Sequence, residues 1–453
     1  MSIDFNGTSG DDTLIGTAAR EFIRGFAGND LISGDLGLDT LDGGNGTDTV
    51  SFEYTSADVD IDLVAELATF FNGNTEEIRN FENVIGSGGD NLITGDSGAN
   101  DLQGGAGDDT ISGGLGRDTM DGGDGIDTID FSYTSADVDI DLAAGLATFF
   151  NGVTEVITNF ENAIGTSGDN EITGTDGDNI LDGNGGDDTL NGGAGNDTLI
   201  GSEDGFTEYN GGFGIDTIDF SASTSDLIVD LELDEIFRLE ADGRMTSIGD
   251  PVGNFNVLTG AGDDLILSRD DTFIDAGAGN DFINGEFGGS DTMLGGSGDD
   301  ILSNRLGTGN DFMFGGSGND EFRIAGEANF AFGEEGNDTL RGEDDFFIGV
   351  DALDGGDGDD VLFGGGGNDL LTGGEGSDTF EFNDASHRDT VTDFTAGEDV
   401  LVFDVDNPAD FEIVQFDGST IITNETAVPF ADEVSVTLLG FTGTLTADDL
   451  SFV

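Results

Sequence analysis

Residues 104–131 constrain the fold most. They read GGAGDDTIS, GGLGRDTMD, GGDGIDTID and then Phe131. One nine-residue unit, with Gly at positions one, two and four, Asp at six and an apolar residue at eight, occurs three times in tandem. The glycines let the backbone turn sharply through φ > 0. The last three residues of each unit suit a very short strand with only its middle residue inward. Those residues are Ile111, Met120 and Ile129, flanked by Thr110 and Ser112, Thr119 and Asp121, Thr128 and Asp130. One inward apolar residue per unit makes no core by itself. Stacked coils of two units, 18 residues each, make a thin continuous one, so the chain is expected to be an all-β solenoid.

In this stretch the chain resembles the RTX (repeats-in-toxin) family. The resemblance implies a right-handed parallel β-roll whose turns hold multiple Ca2+ ions. Each ion is expected between a turn and the turn one coil on, bound by backbone carbonyls and by the sixth-position Asp of both turns. Hard oxygen ligands of that kind suit calcium.

The first run of units spans 7–51, with sixth positions Asp12, Glu21, Asp30, Asp39 and Asp48. The unit holding Glu21 is degenerate: Ala19 replaces a turn glycine, and Arg20 and Arg24 crowd it. It is expected to bind calcium weakly or not at all, with its arginines paired to nearby carboxylates. The run 86–130 has Asn91, Asn100, Asp109, Asp118 and Asp127, and the run 165–219 has Asn170, Asn179, Asp188, Asp197 and Asp216. Asn offers a neutral oxygen, so these four positions are expected to be weaker ligands. The run 259–381 is irregularly spaced, with Asp264, Asp281, Asp291, Asp300, Asp311, Asp320, Asp338, Asp360, Asp369 and Asp378; Asn329 lies in a broken unit.

Three inserts interrupt the units, at 52–85, 131–164 and 220–258. The first two repeat each other 79 residues apart: FEYTSADVDIDL matches FSYTSADVDIDL, and NFENVIG matches NFENAIG. Val59, Ile61 and Leu63 alternate with Asp58, Asp60 and Asp62, the pattern of a strand with one wet face. The inserts are expected to continue the solenoid with wider turns, or else to form small separate lobes. Gly342 to Asp354 reads as an inserted loop, and its Phe346–Phe347 pair is expected to pack locally.

The roll is expected to occupy 1–382 and a C-terminal β cap 383–453. Asp389, Asp393–Phe394, Gly397 and Asp399 resemble the segment that closes the repeats of serralysin-type, type I-secreted proteins. The last residues, Asp448 to Val453, resemble a type I secretion signal; a hydrophobic cap over the end of the roll is the structural reading, and both can hold.

The chain carries 97 acidic residues against 11 Lys plus Arg, a net charge of -86. That charge repels nucleic acid and anionic membrane. No run is long and apolar enough to span a bilayer, and the N-terminus enters a repeat at once without a Sec signal. The protein is therefore expected to be extracellular, with calcium and the export machinery as partners and a surface or matrix component as a further one. Enzyme activity is not expected. His387 is the only histidine and there is no cysteine, so zinc and thiol chemistry lack ligands. The alternative is a polysaccharide lyase or epimerase using Asp58, Asp60 and Asp62 or Asp137, Asp139 and Asp141. No basic or aromatic subsite accompanies those rows. Pore formation lacks a long apolar domain, and the single Thr308-Gly309-Asn310 is too little for ice binding.

Overall fold

A computed structural model describes residues 3–452 apart from 242, 253–254, 269–270, 286–288, 305–308, 327, 343–348, 384–386, 405–410 and 424–433. Among the described residues every regular element is a strand, and no helix is long and apolar enough to cross a membrane. Phe346, Phe347 and Thr308 lie outside the described residues. The chain forms two compact units, Met1–Asp216 and Thr217–Val453.

In the first unit, successive nonapeptides feed two parallel sheets alternately. Ile3–Asn6, Glu21–Ala27 and Thr40–Asn45 stack in one, and Thr13–Ile15, Leu31–Ser33 and Thr49–Ser51 in the other. Thr13 pairs with Leu31 and Phe22 with Thr40, the 18-residue register of a two-unit coil. Eighth-position side chains such as Ile23, Ile32, Leu41, Val50, Ile111, Met120 and Ile129 are wholly shut from solvent. Stacking is tight at the turns. Gly107 holds φ 111°, and a Cβ there would stand 2.7 Å from the Gly89 carbonyl oxygen one coil back.

The inserts are neither wide coils nor separate lobes. In 52–85, strand Leu67–Phe70 runs antiparallel between Val59–Asp62 and Thr75–Arg79. The outer two strands join the roll in parallel: Thr75–Arg79 on Thr40–Asn45, and Val59–Asp62 on Leu92–Thr94. The insert is thus a three-stranded meander set into one sheet, while Asn83–Ile85 bridges Thr49–Ser51 and Asp101–Ala106 in the other. Antiparallel pairing needs only tight turns, which Glu66 (φ 54°) and Gly73 (φ 80°) supply. Residues 131–164 repeat the device with Val138–Asp141, Leu146–Phe149 and Thr154–Thr158. The units at Gly86, Gly95, Gly104, Gly113 and Gly122 separate the two inserts, an odd number, so the second meander falls in the opposite sheet. Phe52 and Phe131 anchor the first residues of the two inserts, buried edge-on against Phe70 and Phe149 with ring centroids 6.0 and 5.6 Å apart.

The second unit begins with a third meander, Leu227–Asp230, Glu235–Leu239 and Met245–Val252, and continues as a roll. The stacking does not stop at 382. Arg388–Val391 adds to Leu370–Glu375 and Val400–Asp404 to Thr379–Asn383, and then Ser435–Leu438 and Leu450–Phe452 add to those. The hairpin Glu412–Phe416/Ser419–Thr423 is antiparallel, and its second strand also pairs antiparallel with Ser435–Leu438. Phe382, Phe403 and Phe452 stack through this end, with centroids 5.3 and 5.5 Å apart. The tail therefore caps the roll by prolonging it.

Candidate metal centre

The sixth positions stack in columns along the turns. The backbone N–H of Asp12 donates to Asp30 Oδ1, and that of Asp30 to Asp48 Oδ1, both at 2.8 Å. Glu21 N–H donates to Asp39 Oδ1 at 2.7 Å on the other edge. In the second unit one column runs Asp264, Asp281, Asp300, Asp320, Asp338, Asp360, Asp378 and Asp399. The other runs Asp291, Asp311, Asn329, Asp351, Asp369 and Asp389.

One oxygen of each carboxylate is thus used by the fold, and the other is the functional atom. Among the described residues, sixteen aspartates bury Oδ2 without a hydrogen-bond partner: 30, 39, 48, 109, 118, 127, 188, 197, 264, 281, 300, 320, 338, 360, 369 and 389. A buried, unsatisfied, anionic oxygen is costly and calls for a cation. The surroundings fit one. A Cβ placed on Gly25 would strike both Asp30 Oδ2 and the Gly43 carbonyl oxygen. The same holds at Gly104 (Asp109, Gly122), Gly192 (Asp197, Gly211), Gly295 (Asp300, Gly315) and Gly355 (Asp360, Gly373). The free carboxylate oxygen and a carbonyl one coil on face a common small space, open only because the unit starts with glycine. Gly211 and Gly373 meet Asp216 and Asp378 Oδ2 in the same way, and Gly285 meets Asp291 Oδ2. Among the described residues no three His, Cys, Asp or Glu side chains form a cage. The donor set is one or two carboxylates with carbonyls, which suits calcium.

Other turns satisfy themselves. Asp12 Oδ2 accepts the Thr8 N–H and hydroxyl, and Glu21 takes those of Thr17. Asn100 Oδ1 accepts the Asp96 N–H, and Asn170 and Asn179 accept those of Thr166 and Thr175. The asparagine amides then turn to the carbonyls. Asn91 Nδ2 donates to Gly89 and Gly104 oxygens at 2.7 and 3.2 Å, and Asn170 Nδ2 to Gly168 and Gly183 oxygens at 2.6 and 3.0 Å. Asn100 and Asn179 donate to the Glu82 and Glu161 carbonyls. Asp311 Oδ2 accepts from the buried Asn304 amide. At Phe26 (φ 77°), Asn184 (φ 69°) and Gly105 (φ 117°) the second residue of the unit has positive φ, and the sixth-position Oδ2 of each unit is buried without a partner.

Several column members are not evident from the nonapeptide pattern. Glu82 and Glu161 accept the Asp48 and Asp127 N–H groups at 2.8 Å, and Glu76 and Glu155 lie in register with Asp39 and Asp118. Asp351, placed in the inserted loop by its sequence, continues a column, as do Asp389 and Asp399. A spacing of 18 residues flags Asp351 before Asp369, Glu82 before Asn100 and Glu161 before Asn179. Arg24 stacks on Phe22, 3.6 Å from the ring centroid, and Arg20 stands near enough to Asp39 to favour its charge.

The acidic rows of the meanders serve as turn caps. Asp58 and Asp137 Oδ1 accept the Asp90 and Asp169 N–H groups, and Asp62 and Asp141 Oδ1 accept those of Ala65 and Ala144. Asp60 and Asp139 stay exposed opposite Thr69 and Thr148. His387 is exposed, its carbonyl accepting the Ser435 N–H.

Burial, reinforced by neighbouring carboxylates, pushes the column acids up: Asp109, Asp127 and Asp300 to about 6, Asp320 and Asp360 to about 7, Asp281 to about 8. An acid that is harder to ionise in the fold than in the coil favours the fold when protonated. That contribution is full below the ordinary carboxylate range and is lost as pH rises through about 6 to 8. In chelator, the chain should therefore gain strand signal in circular dichroism on acidification from neutral pH to below 5, and lose it on return. A coil spectrum at every pH would contradict this.

A profile of the RTX calcium-binding nonapeptide repeat (4 copies) matches residues 6–41, 24–52, 94–129, 164–199, 268–302, 305–323, 325–345 and 347–380, together just over half of the chain. No curated protein matches the sequence. Among solved structures, the extracellular lipase LipA from Serratia marcescens is similar at 18% identity over 64% of this chain, with a TM-score of 0.18, too slight to bear on fold or activity. The chain spans 41% of that lipase's length. The repeat's own sixth positions stack here with their second oxygens turned to glycine carbonyls, and the chain belongs to the RTX calcium-binding nonapeptide-repeat family.

Proposed function

We propose that this is a secreted protein whose roll folds around calcium outside the cell and serves there as a non-catalytic surface, matrix or adhesion element. The observation that carries the reading is the set of sixteen buried Oδ2 atoms without partners. Bound calcium supplies the positive charge that these stacked carboxylates require. The aspartates hold one backbone N–H with Oδ1 and present Oδ2, and the first glycines present carbonyls. The turns of Asn91, Asn100, Asn170 and Asn179 work without an ion, their amides occupying the carbonyls in its stead. Extracellular calcium, on the order of millimolar, fills sites of this class and cytosolic calcium does not, so the chain crosses the export channel unfolded.

Support for a non-catalytic role comes from Asp58, Asp62, Asp137 and Asp141, which are spent on turns, and from the exposed lone histidine. A panel of polysaccharides and esters should release no product. Turnover abolished by Asp139→Asn with the fold intact would overturn this. Type I export rests on the resemblance of the tail. Deleting Asp448 to Val453 should trap the chain in cells, and undiminished secretion would refute that route. The deletion also removes Leu450–Phe452, which pairs with Val400–Asp404. Circular dichroism of the purified, calcium-loaded truncation separates lost export from lost folding.

A further inference from the structure

Two carboxylates in the meanders belong to no nonapeptide. Glu76 and Glu155 are each only 1% exposed. Both oxygens of Glu76 and Oε2 of Glu155 are buried without a hydrogen-bond partner. Neither residue falls within the matched repeats. Their place in the fold is nevertheless that of a sixth-position acid: Thr40 pairs with Glu77 and Thr119 with Val156, so Glu76 sits one strand beyond Asp39 and Glu155 one strand beyond Asp118.

The cradle is built here too, with one substitution. At an ordinary unit a Cβ on the first glycine meets the Asp Oδ2 and a glycine carbonyl one coil on. At Gly34 it would meet Asp39 Oδ2 at 2.8 Å and, in place of the carbonyl, Glu76 Oε2 at 3.4 Å. The meander displaces the next glycine turn, and the longer glutamate reaches back to the place its carbonyl would fill. At the second insert, Gly113 meets Asp118 Oδ2 at 2.8 Å and then Met120 Sδ at 3.0 Å, again with no glycine carbonyl among its nearest atoms. Glu155 lines a cavity of about 110 Å³ beside Gly114, Leu115, Gly116 and Tyr133.

We infer that Glu76 with Asp39, and Glu155 with Asp118, form two divalent-cation sites outside the nonapeptides, each with a meander glutamate as one of its two carboxylates. The inference rests on the calcium reading of the roll. Anionic ligands raise affinity in hard-cation sites, and an ion held here pins each meander to the coil preceding it. The arrangement occurs twice because the insert does, once in each sheet.

The tyrosines offer a local readout. The chain has three and no tryptophan. Tyr54 lies within the field of Glu76 and Asp39, Tyr133 within that of Glu155 and Asp118, and Tyr209 within that of Asp188. Terbium, a hard cation that takes calcium's ligands, luminesces when a nearby tyrosine is excited. On the full chain, Glu76→Gln should remove the emission that Tyr54→Phe removes, roughly a third, and the double variant should lose no more than either alone. Glu155→Gln and Tyr133→Phe should behave as a second such pair. Each glutamine variant should also bind one calcium ion fewer. Emission and ion count unchanged by Glu76→Gln and Glu155→Gln, with the remaining ions bound and the roll folded, would overturn the inference and leave the calcium reading standing. A chain that binds no calcium at all would instead sink both. If a glutamine variant fails to fold, anomalous scattering from calcium-loaded wild-type crystals decides: a peak between Asp39 Oδ2 and Glu76 Oε2 supports the site, and its absence overturns it.

Discussion

In excess chelator at neutral pH the chain should lose its strand signal entirely, and millimolar calcium should restore it. The apolar core is one residue per unit, so it cannot hold the coils by itself. Against it stand a net charge of -86 and columns of carboxylates in successive coils. Carboxylates about 5 Å apart repel by roughly 1 kcal/mol per pair even in water, and more where burial lowers the dielectric. About fifteen sites, each held at roughly ten times its dissociation constant, would contribute about 1.4 kcal/mol apiece, on the order of 20 kcal/mol together. Whole-domain stabilities are about 5–15 kcal/mol, so the ions decide whether the roll exists. A chelated chain that keeps its strand spectrum at pH 7 would refute this.

Asp30 should be a costly single aspartate to remove from the N-terminal coils. Its Oδ1 accepts the Asp12 N–H, its own N–H donates to Asp48, and its Oδ2 faces the Gly43 carbonyl. Asp30→Ala should release about one calcium ion, the one shared with Asp48, about 1.4 kcal/mol at tenfold saturation, since its N-terminal neighbour Asp12 is already capped by Thr8. It also strands a partly buried N–H, at a further cost of about 1–3 kcal/mol. Asp39→Ala should release about one ion, since its N-terminal neighbour Glu21 is already capped by Thr17. Asp30→Asn separates the two losses. Its amide can meet the Gly43 carbonyl as the Asn91 amide meets that of Gly104, so the ion leaves while the turn stays satisfied. Ion counts and calcium-dependent melting of the three variants measure this. Ions retained by Asp30→Ala or by Asp30→Asn would show that calcium does not bridge turns one coil apart.

The columns were legible because the unit is a period: Asp12, Asp30 and Asp48 stand 18 residues apart in the sequence and one coil apart in the roll. The inward residues followed from the same count, and Ile111, Met120 and Ile129 are fully buried. The meanders were not legible. Alternation in Val59–Asp62 marks a strand, but whether the next strand runs parallel or antiparallel depends on the turn at Glu66, which no period encodes. Glu76 was invisible for that reason: it reaches its place only after two reversals of the chain. The self-satisfied turns depended on a smaller cue. Thr at the second position of a unit, as in Thr8, Thr17, Thr166 and Thr175, brings its N–H onto the sixth side chain. Reading only the sixth residue treats Asp12 as equal to Asp30, although its second oxygen is already engaged.

Calcium-gated folding is decided by the number of ions that the folded chain holds, counted by native mass spectrometry as strand signal returns from chelator. Roughly sixteen or more ions are expected, one for each turn with a buried unpartnered Oδ2, with folding and loading rising together. A handful of ions on a fully folded chain, or strand signal complete before the ions bind, would contradict it.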